Sequence, residues 1–283
     1  MGSCKYCGKP AGFLRVRHLE CEEENRVRDR ATKEAAAQTM SEAVEVIKGN
    51  GTFSSLEASL FKLEDANRLP SSHKHPLLVH AWEIAVDSFL QDGVLDASEE
   101  QRLVEFKEHF GLSTSDLDTN GALTKTAKSA VLRDILEGKI PQRINLHGSL
   151  PINLQKQEKV VWVFPDSKYL EDKTSRQYVG GSKGVSIRVM KGVYYRVGSF
   201  KGQAVENTMR VHVDNGLVVA TDVNLYFAGP RKSFRVPYKK IVSFEPFEDG
   251  IGIMRDASSA KPQIFVTGDG WFTYNLVVNL SSL

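Results

Sequence analysis

Apolar residues along this chain recur every three or four positions up to Gly138, and from Lys159 onward at alternate positions or in short runs. The first half therefore predicts helices. One stripe runs through Val27, Ala31, Ala35, Val44 and Ile47. A second carries Leu56, Leu60 and Leu63, capped by Ser54 or Ser55 and ending before Pro70. A third carries Leu78, Ala81, Trp82, Ala85, Val86 and Phe89 and stops at Asp92-Gly93. Asp96-Ala97-Ser98-Glu99 has the form of a capping box that opens a helix with Leu103, Phe106 and Phe110, closed by Gly111. A last helix runs through Leu123, Ala127, Val131 and Ile135 to Gly138, with Pro141 behind it.

The second half predicts short strands over Val160–Phe164, Ser186–Val189, Val193–Val197, Met209–Val213, Leu217–Thr221, Leu225–Phe227, Ser233–Val236, Ile241–Phe244, Ile251–Met254 and Ile264–Val266. Asp214-Asn215-Gly216 has the composition of a hairpin turn between two of them. Trp271, Phe272, Leu276, Val277 and Leu280 return to helical spacing at the C-terminus. Many short strands with one terminal amphipathic helix suit a β-barrel or bent sheet plugged by that helix.

Charge divides the chain further. Lys plus Arg stand against Asp plus Glu as nine to eight in residues 1–48, ten to fifteen in 49–145, and eighteen to twelve in 146–283. The expected organisation is an α+β multidomain chain: a zinc knuckle with its following helix (1–48), an acidic helical domain (49–145) and a basic β-domain (146–283). No run approaches the roughly 18 apolar residues of a membrane-spanning helix, and the N-terminus lacks the apolar core of a secretory signal. With three cysteines, all before residue 22, a reducing cytoplasmic setting is expected.

Those cysteines carry the clearest chemistry. Cys4, Cys7, His18 and Cys21 follow the spacing C-x2-C-x10-H-x2-C, two short pairs bridged by a loop, which suits the four nitrogen or sulfur ligands that zinc takes in a tetrahedron. Gly8 lets the backbone fold beneath the metal, and His18 and Cys21 are expected on the first turn of the helix that follows. Four protein ligands leave no open position for water, so the expected zinc is structural. Lys5, Lys9, Arg15 and Arg17 surround it as a solvated rim or as phosphate contacts.

The stretch Trp82–Asp87 followed by Gln91–Glu100 resembles the TerB-like helical domain of tellurite-resistance systems, over about sixty residues. That resemblance implies a compact helical bundle tied to stress or defence. It also implies acids that sometimes hold a metal, here Asp92, Asp96, Glu99 and Glu100. Read as residues alone, these acids cap a helix and favour its N-terminal dipole. Gly93, Val94 and Leu95 exclude a calcium-binding EF-hand loop. His73 and His75 read as part of a Ser/Pro-flanked polar loop and His80 as lying on the following helix, with no acid or cysteine nearby to complete a ligand set.

In the β-rich part, Asp214–Thr221, Leu225–Gly229, Lys232–Tyr238 and Lys240–Phe244 resemble bacterial pleckstrin-homology and GRAM-like domains, over about 110 residues. Such folds serve as platforms for lipids, peptides or other subunits. Lys183, Arg188, Lys191, Arg196, Arg231, Lys232 and Arg235, with Lys239 and Lys240 beside them, are the candidate anion-binding residues; gatekeeper charges on exposed strands are the plainer reading. Gly180–Gly184 lacks the ending of a phosphate loop, and no nucleophile elbow or H-E-x-x-H motif occurs. The expected function is therefore a non-enzymatic, zinc-containing adaptor of a bacterial or phage stress, envelope or defence system. Its partner would be a protein or an anionic lipid surface. The alternative is a nucleic-acid-binding regulator that uses the knuckle and the basic β-face.

Overall fold

The computed structural model describes residues 2–12, 15–146, 148–179, 185–190, 193–197, 203–257 and 260–283, with side chains except at 92, 173–179, 185–190, 193–197 and 203–208. Two compact units divide the chain, Met1–Arg133 and Asp134–Leu283.

The first unit opens with two very short antiparallel strands, β1 (Gly2–Ser3) and β2 (Pro10–Gly12), and continues into α1 (Leu19–Ile47). The C-terminal half of α1 enters a helical core with α2 (Phe53–Asp65), α3 (Ser71–Phe89), α4 (Ala97–His109), α5 (Thr114–Leu117) and α6 (Ala122–Leu136). Ala43 and Ile47 meet Leu56, Leu60, Trp82, Leu95, Leu103 and Phe106 there, all buried. The Trp82 indole N–H donates to the Leu103 carbonyl at 3.0 Å, which satisfies the one polar group that burying tryptophan brings. Arg102 lies over the Phe53 ring at 4.5 Å and donates to the Val46 and Ile47 carbonyls, neutralising the unpaired C-terminal end of α1.

The helix limits follow local chemistry. Thr52, rather than Ser54 or Ser55, caps α2, and Ser55 is its reciprocal partner. The Asp96 box forms as the sequence indicates: its carboxylate accepts from the Glu99 N–H at 2.8 Å, and Glu99 accepts from the Asp96 N–H at 2.9 Å. The Glu99 N–H, and after it the Ser98 hydroxyl, holds the Asp96 carboxyl below its ordinary value. The histidine loop is corrected. His73 and His75 lie inside α3, which starts directly after an extended Pro70 and runs through Pro76. The burial of Leu77, Leu78, Ala81 and Trp82 outweighs the one hydrogen bond Pro76 cannot make. The apolar stripe of α1 also divides: Ala35, Val44 and Ile47 are buried, whereas Val27 is 59% exposed, as is Leu19 before it at 78%.

The second unit is built on a seven-stranded antiparallel sheet. Its strands are β3 (Val160–Val179), β6 (Gln203–Thr221), β7 (Asn224–Ala228), β8 (Ser233–Pro237), β9 (Ile241–Phe247), β10 (Gly250–Arg255) and β11 (Gln263–Val266), in the order β8-β7-β6-β3-β11-β10-β9. A separate pair, β4 (Val185–Met190) and β5 (Val193–Val197), forms its own two-stranded sheet. The expected barrel alternative is not realised: β8 and β9 end the order without pairing, so the sheet stays open. The terminal helix α7 (Gly270–Leu280) is present, with Phe272, Leu276 and Val277 buried. Phe272 meets Trp162 edge-on at 4.9 Å and Phe164 at 5.8 Å.

Asp214-Asn215-Gly216 is not a hairpin turn. It lies in the middle of β6, opposite Ser167–Tyr169 of β3. The same residue types serve a different need. Asp214, buried within the sheet, accepts from the N–H groups of Asn215 (3.0 Å), Arg231 (2.7 Å) and Lys232 (2.8 Å), tying the β7–β8 turn to β6. Burial pushes its carboxyl up, yet these donors together hold it below the ordinary value. Gly216 is required because a Cβ there would lie 2.1 Å from the Ala228 carbonyl oxygen. At the start of β3, Glu158 accepts from Asn224 Nδ2 (2.8 Å), the Tyr226 hydroxyl (2.7 Å), the Gln155 N–H (2.7 Å) and Thr221. Among the described residues, no helix is long and apolar enough to cross a membrane.

Gly216→Ala is expected to destabilise the second unit by about 2 kcal/mol or more, since the opposing atom is backbone and cannot rotate away. A lowered urea midpoint checks this. Asp96→Ala is expected to cost about 1 kcal/mol through loss of the cap. Because the folded Asp96 pKa lies below the unfolded one, its contribution is full above the ordinary carboxylate range and is lost as pH falls through the folded value. Unfolding curves for the parent and the variant should therefore converge in acid.

Candidate metal centre

Cys4 and Cys7 lie on the turn between β1 and β2, which two short hydrogen bonds shape. The Cys4 N–H donates to the Lys9 carbonyl and the Gly8 N–H to the Cys4 carbonyl, both at 2.8 Å. Gly8 has φ +71°, a conformation glycine adopts without strain. The Lys5 N–H reaches the Val16 carbonyl at 2.9 Å and draws the second pair alongside. His18 is the residue that caps α1, with extended backbone and no side-chain cap bond, so its ring is free to face the cysteines. Cys21 is the third residue of the helix, within its first turn. The expectation of both on the first turn is thus right for Cys21 and one residue late for His18.

The side-chain ligand atoms of Cys4, Cys7, His18 and Cys21 all lie within 4.8 Å of one another, close enough to hold a single metal ion. His18 Nδ1 is 3.4 Å from Cys7 Sγ and 3.6 Å from Cys21 Sγ. Its other nitrogen, Nε2, is 3.0 Å from the Pro10 carbonyl and donates to it, which fixes the tautomer and leaves the Nδ1 lone pair pointing at the sulfurs. The His18 backbone N–H adds a contact to Cys4 Sγ at 3.4 Å.

The three thiols are not equivalent. Cys4 is buried, Cys21 half-buried and Cys7 exposed. Burial works against ionising Cys4, but backbone N–H groups of Cys7, Tyr6 and His18 converge on its sulfur and lower it to about 6. Cys21 is pushed up to about 11, first by its hydrogen bond with Cys7 and then by burial and the neighbouring sulfurs. Crowded sulfurs of this kind repel as thiolates, and a bound cation is what relieves that repulsion.

Among the described residues, the remaining sequence candidates do not converge on one site. Around the knuckle, Lys5 lies over the Tyr6 ring at 4.7 Å and Arg17 pairs with Glu22. Of the four acids, Asp96 and Glu99 form the cap, Glu100 pairs with Arg133, and the Asp92 side chain lies outside the described ones. In the basic set, Lys183 and Lys191 lie outside the described residues, and Arg188 and Arg196 occupy β4 and β5 without described side chains. Arg231 is exposed, its N–H committed to Asp214. Lys232 pairs with Glu171 and lies over the Tyr169 ring. Arg235 is exposed and lines a cleft with Tyr226; Lys239 and Lys240 follow in an exposed turn.

Two features were not read from the sequence. His75 and His80 do have acidic partners: His75 Nε2 lies 3.0 Å from Asp116 and His80 Nδ1 lies 3.2 Å from Glu83. Glu83 was readable as a helical i+3 neighbour, whereas Asp116 comes from a distant element. The Pro10 carbonyl that orients His18 carries no sequence signal, because any residue type supplies a carbonyl.

Cys7→Ala is expected to abolish stoichiometric metal binding, measured by elemental analysis of the purified chain. It should also remove hydrogen-exchange protection from residues 2–12 while leaving the amides of β6 unchanged. Metal content equal to that of the parent chain overturns the ligand set. No protein family, curated protein or solved structure matches this chain.

Proposed function

We propose that this chain is a non-enzymatic adaptor whose N-terminal module is closed by a structural zinc ion. The single observation that carries the reading is the donor set. A sulfur and a nitrogen bound to one tetrahedral zinc at their usual bond lengths are roughly 3.6 Å apart. The two Nδ1–Sγ separations of 3.4 and 3.6 Å fit that requirement. Cys4, Cys7, His18 and Cys21 would hold the ion, and its role would be to clip the β1–β2 turn to the start of α1. Three thiolates and one imidazole fill a tetrahedron, which favours a structural centre over a reactive one.

The rest of the assignment rests on form. A helical core closed by Trp82 and Phe106 supports a TerB-like reading of the first unit. For the second, the supports are the strand order, in which the first and last strands of the sheet's chain path are neighbours, and the helix that follows the last strand. These features favour the pleckstrin/GRAM-like reading, and with it protein or anionic-surface recognition in a stress, envelope or defence system. The full-length chain should carry zinc at one ion per chain and should turn over neither nucleotides nor phosphodiesters. Turnover that disappears on substituting a surface residue of either unit would overturn the adaptor reading.

A second reading has its own observation. Residues 173–205 contain Lys173, Arg176, Lys183, Arg188, Lys191, Arg196 and Lys201 and no acid. Part of this stretch is the end of the β3–β6 ribbon beyond Glu171, where β11 no longer pairs with β3. A basic two-stranded ribbon has the width of a DNA major groove. If it binds duplex DNA, affinity should fall with salt at a log–log slope of about −0.9 per phosphate neutralised. Fluorescence anisotropy on a duplex at several salt concentrations measures the slope; binding that ignores salt counts against this reading.

A further inference from the structure

We infer that the free edge of β8 is a docking site for an extended acidic peptide, added as an eighth strand. This inference rests on the adaptor reading and names the contact through which that adaptor takes its protein partner.

The main-chain geometry comes first. In an antiparallel pair, hydrogen-bonded and non-bonded residue pairs alternate. The β7–β8 register pairs Asn224 with Pro237, Tyr226 with Arg235 and Ala228 with Ser233. Two bonds flanking this ladder fix which pairs are joined. The Gly229 N–H donates to the Lys232 carbonyl at 2.8 Å, and the Tyr238 N–H donates to the Val223 carbonyl at 3.2 Å. The bonded pairs are therefore Val223–Tyr238, Leu225–Val236, Phe227–Phe234 and Gly229–Lys232. It follows that Ser233, Arg235 and Pro237 turn their main-chain groups away from β7, toward the open edge. Among the described residues no backbone group pairs with those of Ser233 and Arg235 there, whereas the Pro237 carbonyl opens the 3-10 turn Tyr238–Lys240. Pro237 has no N–H and its carbonyl serves the turn that follows, so the edge offers the N–H and carbonyl of Ser233 and those of Arg235.

A cleft of about 470 Å³ runs along the same residues. Ser233, Phe234 and Arg235 form one wall with Tyr226, and Leu150–Asn153 form the other. The Leu150–Asn153 segment faces the edge without a backbone hydrogen bond to it, leaving a slot between strand and segment. Leu150, Ile152 and Phe234 supply apolar surface for a side chain that alternates inward.

Charge selects the occupant. From Gly229 to Phe244 the chain carries Arg231, Lys232, Arg235, Lys239 and Lys240 and no acid. Lys232 is held by Glu171, whereas Arg235 is exposed and has no carboxylate partner among the described residues. A second copy of this edge would bring like charges together, so self-pairing is disfavoured. An acidic strand is favoured, because it gains both the main-chain ladder and a carboxylate for Arg235.

The test is a random nine-residue peptide display library selected on the full-length chain. Selected peptides are resynthesised with a fluorophore and measured by polarisation. Alternating sequences with at least one Asp or Glu should emerge. Arg235→Ala should weaken them about tenfold, the effect of a 1.4 kcal/mol loss. Ser233→Pro should do the same, since that N–H faces outward and its loss leaves the β7–β8 ladder intact. An unchanged thermal midpoint confirms that both variants fold. Hydrogen exchange supplies a readout independent of folding: bound peptide should protect the Ser233 and Arg235 amides, while Phe234 is protected with or without it. Failure to select acidic peptides, protection elsewhere, or dimerisation through β8 in place of peptide binding would each overturn the site. A protein partner retained undiminished by Arg235→Ala would leave the adaptor reading standing and remove this site alone.

Discussion

Main-chain pairing between β3 and β6 is the interaction on which the second unit depends. Their ladder runs from Val160–Thr221 to Val179–Gln203, far longer than any other in the sheet. All other strands of the sheet are assembled on its flanks, β7 and β8 beside β6 and β11, β10 and β9 beside β3. Side chains then lock what the ladder aligns. Asp214 gathers three N–H groups to hold the β7–β8 turn against β6, and Glu158 joins the approach to β3 with Thr221, Asn224 and Tyr226. Tyr169 packs among Phe227, Phe234 and Phe265 with ring centroids 4.9–5.5 Å away, so the middle of the sheet is an aromatic core. The edge at β8 has its position because Asp214 fixes the turn that leads into it.

The first unit solves a different problem. Its bundle is held by ordinary apolar burial, but residues 2–18 are too few to bury a core of their own. Convergent donors replace that core: three sulfurs and one imidazole around a point, with the imidazole oriented by Pro10. A small module that cannot exclude enough water is commonly stabilised by a metal held on such donors, and a metal bound here would tie the module's folding to it.

The parts legible in the sequence were those whose chemistry admits one reading. The spacing of Cys4, Cys7, His18 and Cys21 gave the cluster, the Asp96–Glu99 pattern gave the cap, and helical periodicity gave Trp82 and Phe106 as core. The misreadings came from residues that serve two purposes. Aspartate, asparagine and glycine make turns, but Asp214 and Gly216 are needed for an N–H acceptor and a close approach inside a strand. Residues 172–177 are all polar, so no alternation announced the far part of β3; pairing with β6 makes it a strand regardless. Proline and serine around His73 and His75 suggested a loop, yet the apolar face behind them was long enough to continue the helix. The β8 edge was invisible for another reason. Which N–H groups point outward depends on ladder parity, and parity is set by the neighbouring strand.

The length of α1 has a mechanical consequence. At 1.5 Å per residue its 29 residues span roughly 44 Å, and only the C-terminal half is embedded in the bundle. The knuckle therefore sits at the tip of a rigid spacer, anchored at one end by Ile47 and seeded at the other by His18. A single solvated helix frays from its ends, and the Cys4, Cys7, His18 and Cys21 cluster lies at the end that stays outside the helical core. A metal bound there would act beyond the turn it clips: it would set the working length of the spacer, and so the distance at which anything held by the tip is presented to the bundle.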